Sequence, residues 1–158
     1  MRIAAIILGG LALAGTATGI FFYWIGSAFI CFDVCPPVSS IGPQLLRAAA
    51  LSLSPGLLLS LAAWILSLIT LRAGGRSTAF LVTLLTPIIV IIAAALTLSI
   101  AGGSFTPVAV SGPPEVAPAG RQVSTDWINA TRYAAAPLVI WPAATCIAIL
   151  SRPAKPRG

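Results

Sequence analysis

Residues 48–100 read AAALSLSPGLLLSLAAWILSLITLRAGGRSTAFLVTLLTPIIVIIAAALTLSI: two uncharged apolar runs, 48–71 and 78–100, joined by the short turn Arg72-Ala73-Gly74-Gly75-Arg76. A bilayer core about 30 Å thick is crossed by roughly 20 apolar residues rising ~1.5 Å each, and both runs exceed that length. So short a link cannot cross a bundle, and the pair predicts an antiparallel transmembrane hairpin. Outward from it lie two more apolar runs, at about 3–25 and 130–150. The sequence therefore predicts an all-α fold over 1–158, a single domain of four transmembrane helices. Its outer loops fall at about 26–46 and 102–126.

Composition agrees. Apolar residues make up 58% of the 158 and charged residues only 8%, where a soluble domain carries about 25% charged residues. The net charge of +6 does not point to nucleic acid, whose basic patches cluster on a soluble face. Here the cations stand at the ends of apolar runs, at Arg2, Arg47, Arg72, Arg76, Arg132, Arg152, Lys155 and Arg157, with only Arg121 well inside a loop. That is the flank pattern of membrane spans. The 72–76 turn, the tail and Arg2 hold the denser positive charge, while all three acids (Asp33, Glu115, Asp126) fall on the other side. The positive-inside rule then orients an up-down-up-down bundle with both termini in the cytoplasm.

The first run is expected to remain as a span. Signal-peptide h-regions are only about 7–15 residues long, whereas this run continues through Phe21, Phe22, Tyr23 and Trp24 to Ile25. A stripe of small residues (Ala5, Gly9, Ala12, Thr16, Gly19) marks one face of it, and Gly15 and Gly19 form a GxxxG pair that predicts close helix packing. The aromatic cluster at 21–24 reads as an interface anchor. Prolines at 55, 87, 137 and 142 predict kinks, because each removes one helical N–H and frees the carbonyl four residues earlier. For Pro87 that carbonyl belongs to Thr83. In the 102–126 loop, Pro107, Pro113, Pro114 and Pro118 argue against a regular helix.

Candidate chemistry is sparse. Cys31 and Cys35, on the predicted outer side, are a candidate disulfide in an oxidising compartment. Their CxxxC spacing is not the CxxC of thiol redox centres, and with Asp33 they fall short of a zinc ligand set. The chain has no histidine, which removes His-based acid–base, haem and metal chemistry. No Asp, Glu, Lys or Arg lies deep in a span, where ion-coupled transporters place an ionisable group. The hydroxyls of the spans are expected to bond within the bundle. Asn129-Ala130-Thr131 matches a glycosylation sequon but lies close to the membrane.

From these features the expected function is a non-catalytic accessory or assembly subunit acting through helix packing. No catalytic residue, cofactor, metal or nucleic acid is expected. Its partners would be the lipid bilayer and another membrane protein or a second copy. A small transporter or channel for a neutral or lipophilic solute is the alternative, and an outer-face thiol redox protein a further one. One lysine against eight arginines, in an alanine-rich chain, points to a bacterial plasma membrane.

Overall fold

The computed structural model describes residues 2–32, 36–102 and 117–151, and helix is the only regular structure among them. Helix α1 spans Arg2–Ala28 and runs into a 3-10 turn, Phe29–Cys31. Helices α2 (Val38–Ala73) and α3 (Ser77–Gly102) follow. Helix α4 (Ala117–Ala135) passes through a 3-10 segment, Ala136–Val139, into α5 (Ile140–Leu150). Four stretches are long and apolar enough to cross a membrane: Arg2–Cys31, Ser39–Ala73, Ser77–Ala101 and Thr125–Leu150.

The helices extend beyond the apolar runs. Helix covers 38–46, where an outer loop is expected, because Ile41 and Leu45 stand four apart on one face and are buried there. A hydropathy run misses such a turn, since Ser39, Ser40, Gly42, Pro43 and Gln44 lower its mean. Likewise α4 starts at Ala117, within the expected 102–126 loop. Pro118 does not prevent this, because the N–H groups of a helix's first turn have no intrahelical acceptor to lose. Pro107, Pro113 and Pro114 lie outside the described residues.

The α2–α3 turn has a specific chemistry. Gly75 N–H donates to Arg72 O at 3.2 Å and Arg76 N–H to Leu71 O at 3.1 Å. This pair of bonds is a Schellman cap, which closes the helix with a residue in the left-handed conformation. Gly75 takes that role with φ +66°, which a side chain disfavours.

By internal packing the chain divides into two units. The first comprises Met1–Thr18, Pro55–Ile91 and Leu138–Gly158. Its buried positions are mostly small or hydroxylated: Ala5, Ala12, Ala63 and Ala148 with Thr16, Ser60, Ser67, Thr83, Thr86 and Thr145. Most of its large apolar side chains, among them Ile3, Ile7, Leu11, Leu58, Ile65, Ile69 and Ile88, face outward, while Leu71 and Ile149 are buried. A water-soluble core has the opposite arrangement. In lipid, burying a large aliphatic chain gains nothing over leaving it among acyl chains, and small residues inside let backbones approach.

The second unit comprises Gly19–Ser54 and Ile92–Pro137. Tyr23, Ile41, Leu45, Leu53 and Ile128 form its interior, around a wholly buried Ser27. Phe21, Phe22, Trp24, Phe29, Phe32, Trp127 and Tyr133 are exposed. Tyr23 thus departs from the expected aromatic anchor. It lies four residues from both Gly19 and Ser27, on the buried face of α1.

Replacing Gly75 by alanine tests the cap. No atom lies within 4 Å of a Cβ built there, so any loss comes from the backbone alone. We expect Gly75→Ala to cost about 1 kcal/mol, read as a lower midpoint of thermal unfolding in mild detergent.

Candidate functional site

Within the first unit, α1 and α2 touch backbone to backbone. A Cβ added to Gly56 would stand 2.7 Å from Thr16 N and Cα and 2.8 Å from the Gly15 carbonyl carbon. At Gly15 an added Cβ would be 3.5 Å from Gly56 Cα, an ordinary contact. The stringent position is therefore Gly56. Polar bonds cross the contact: Thr16 Oγ1 and Ser60 Oγ share a bond of 3.1 Å and Thr16 Oγ1 lies 3.4 Å from Gly56 O, while Ser60 Oγ donates within α2 to the same carbonyl at 2.7 Å. Gly9 in α1 meets α5 as closely, since a Cβ there would stand 2.7 Å from Cys146 Sγ. In the second unit α1 and α2 meet again, where a Cβ on Gly19 would lie 2.6 Å from Ser52 O.

The sequence reading singled out Gly15 and Gly19 and missed Gly56. The signal is nevertheless present, because Ser52, Gly56 and Ser60 repeat a small residue every four positions along α2. Leucines surrounding them and Pro55 beside them obscure the pattern.

Pro87 lies inside α3 and deprives Thr83 O of its helical donor. The indole Nε1–H of Trp64, from α2, donates to that carbonyl at 2.7 Å. A side chain of a neighbouring helix thus replaces the bond that proline removed, as a low-dielectric interior demands. The same indole packs edge-on against Trp141 of α5, with ring centroids 6.3 Å apart and planes at 72°. Trp141 Nε1 is buried and has no hydrogen-bond partner among the described residues. The sequence exposed the freed carbonyl of Thr83 but not its donor, nineteen residues earlier on another helix.

The remaining prolines have different settings. Pro55 lies within continuous α2. Pro137 sits in the 3-10 segment between α4 and α5, and Pro142 is buried in the first turn of α5.

Most hydroxyls of the candidate spans bond to their own helix. Ser67, Thr86 and Thr145 donate to the carbonyls of Ala63, Val82 and Trp141 at 2.6, 2.8 and 2.8 Å. Thr83 and Thr97 do the same to Ala79 and Ala93.

The second unit holds a polar cluster at the junction of α1 and α4. Arg132 Nε–H donates to the buried Ser27 Oγ at 2.7 Å, and its Nη1 to Asn129 Oδ1 at 3.2 Å. Ser27 Oγ in turn donates to Trp24 O, and Trp24 Nε1 returns a bond to Arg132 O at 3.2 Å. Trp24 and Tyr133 pack edge to face. Arg132 therefore does more than flank a span: it ties two helices through a reciprocal set of bonds. The Asn129 amide of the sequon is engaged in it.

Of the cysteines, Cys31 is disulfide-bonded and Cys146 is a free thiol. Cys35 lies outside the described residues. Among the described residues no group of three His, Cys, Asp or Glu side chains is placed to hold a metal ion. Comparison with protein-family models, curated proteins and solved structures finds no match to this chain.

Two substitutions probe that geometry. Gly56→Ala drives a methyl into the Thr16 backbone and should cost about 1–3 kcal/mol, whereas Gly10→Ala, with nothing within 4 Å, should be neutral. Trp64→Phe strips Thr83 O of its donor and should cost about 1–2 kcal/mol, near the upper end for hydrogen bonds between membrane helices. Trp141→Phe loses an N–H that bonds nothing and should be milder. Equilibrium unfolding in mixed detergent micelles checks both orderings.

Proposed function

We propose that this chain is a bilayer-embedded, non-catalytic accessory or assembly subunit that acts through helix packing. The observation that carries this reading is the covering of α3. Only 17% of its most apolar window is buried within the chain, against 28% for each of the other three candidate spans. Leu81, Leu85, Ile88, Ile92 and Leu96 are all exposed along it. Lipid covers such a surface in any case, and helices of a second membrane protein pack on it without displacing an internal contact.

The distribution of polar groups supports the same reading over a solute path. A carrier for neutral solutes needs donors and acceptors facing a passage, but here most intramembrane hydroxyls are spent on i−4 carbonyls. The bilayer is a bacterial plasma membrane in this proposal. Both termini and the 72–76 turn face the cytoplasm, on the strength of the cation distribution. The Cys31–Cys35 pairing belongs to the same proposal, as a clip on the outer side. It is supported by the bonded state of Cys31 and the free state of Cys146.

The test is purification of the C-terminally tagged chain from native membranes in a lipid-preserving detergent, with co-purifying chains identified by mass spectrometry. We expect a membrane protein in stoichiometric amount, lost when Ile88 and Ile92 are replaced by tryptophan. Recovery of the chain alone would overturn the accessory reading in favour of a self-standing carrier.

A further inference from the structure

The first unit carries an unbalanced charge. Its sequence contains Arg2, Arg72, Arg76, Arg152, Lys155 and Arg157 and not one Asp or Glu. Two of these cations, lacking a carboxylate, turn to the backbone. Arg76 Nη1 donates to Ile149 O at 2.9 Å and Arg2 Nη2 donates to the same oxygen at 3.3 Å. One carbonyl at the end of α5 cannot neutralise two guanidinium groups, so positive potential remains at this end of the unit.

A cavity of about 690 Å³ opens beside them, lined by the 74–79 turn and by α5. Its size falls within the ~300–1,000 Å³ typical of ligand pockets. One part of its wall is polar: Arg76, Ser77 and Thr78, at the start of α3. The first i−4 bond of this helix is Phe80 N–H to Arg76 O, so the N–H groups of residues 77–79 have no acceptor within the helix. The other part is apolar, formed by Val82, Ala144 and Ile147. The cavity lies where the apolar runs give way to arginine, the level at which a bilayer changes from acyl chain to headgroup.

A positive polar wall joined to an apolar one, in a unit whose sequence holds no Asp or Glu, defines the ligand. We propose that this cavity binds one anionic glycerophospholipid. Its phosphate lies against Arg76 and the opening turn of α3, and an acyl chain runs along Val82 and Ile147. Arg76 keeps further N–H groups for the phosphate while Nη1 stays on Ile149 O, and charge-assisted bonds of this kind are the strong ones. The proposal does not depend on a protein partner and stands or falls apart from the accessory reading.

The test is native mass spectrometry of the full chain in mild detergent, titrated with palmitoyl-oleoyl phosphatidylglycerol or with the phosphatidylcholine of the same chains. We expect one phosphatidylglycerol per chain, held about tenfold more tightly than phosphatidylcholine. Arg76→Gln should bring the two lipids to near parity, and Arg76→Lys should keep most of the preference. Arg72→Gln, which removes an exposed cation outside the cavity, should leave it intact. Ala144→Leu, which fills the apolar wall, should weaken both lipids without unfolding the chain. Equal binding of the two lipids by the unaltered chain would overturn the proposal. So would an equal loss in the Arg72 and Arg76 variants, or displacement of the lipid by millimolar inorganic phosphate, which would mark a bare anion site.

Discussion

Around Gly56 the backbones of α1 and α2 approach so closely that one added carbon would stand 2.7 Å from Thr16 N and Cα. Lipid supplies no hydrophobic drive for helix association, so attraction must come from dispersion between closely packed surfaces and from a few interhelical hydrogen bonds. Both require short distances between helix axes, which only small residues permit. The Thr16–Ser60 bond and the Gly9–Cys146 contact follow from that constraint. So does the outward placement of most leucines and isoleucines in the first unit. A large side chain between these helices would separate the atoms that hold them together.

The second demand of such an environment is that no backbone group be left without a partner. Prolines within spans create that difficulty. At Pro87 the answer comes from another helix, through Trp64. A single indole thus links a local backbone defect in α3 to the position of α2, and its ring reaches Trp141 in α5 as well. Hydroxyls meet the same demand more cheaply, each donating its proton to an i−4 carbonyl of its own helix.

At the ends of the spans the chemistry changes. In the second unit Arg132 is held by Ser27, Asn129 and a return bond from Trp24, so its charge is part of the packing. In the first unit Arg76 and Arg2 share one carbonyl and retain bonding capacity. The difference follows from what each sequence segment offers. In the second unit the hydroxyl of Ser27 and the amide of Asn129 take up the Arg132 donors, whereas Arg76 of the first unit lines an open cavity with Ser77 and Thr78.

Much of this was legible in the residues themselves. Run length and the lack of charge marked four helices long and apolar enough to cross a bilayer, because that requirement on composition and length needs no knowledge of neighbours. Local geometry was legible too: the Gly-Gly turn between α2 and α3, the small-residue face of α1 and the freed carbonyl of Thr83 each depend on a few adjacent residues. Helix ends were read less well, since Ile41 and Leu45 extend α2 through a face that averaged hydropathy hides. What the tertiary structure alone decided is which residue meets which: Gly56 against Thr16, Trp64 on Thr83, Arg132 on Ser27, and a cavity beside Arg76. Such pairings join positions tens of residues apart, and their energies depend on distances of a few ångströms between helices. No local pattern in a chain encodes those distances, because they are fixed only when the helices pack.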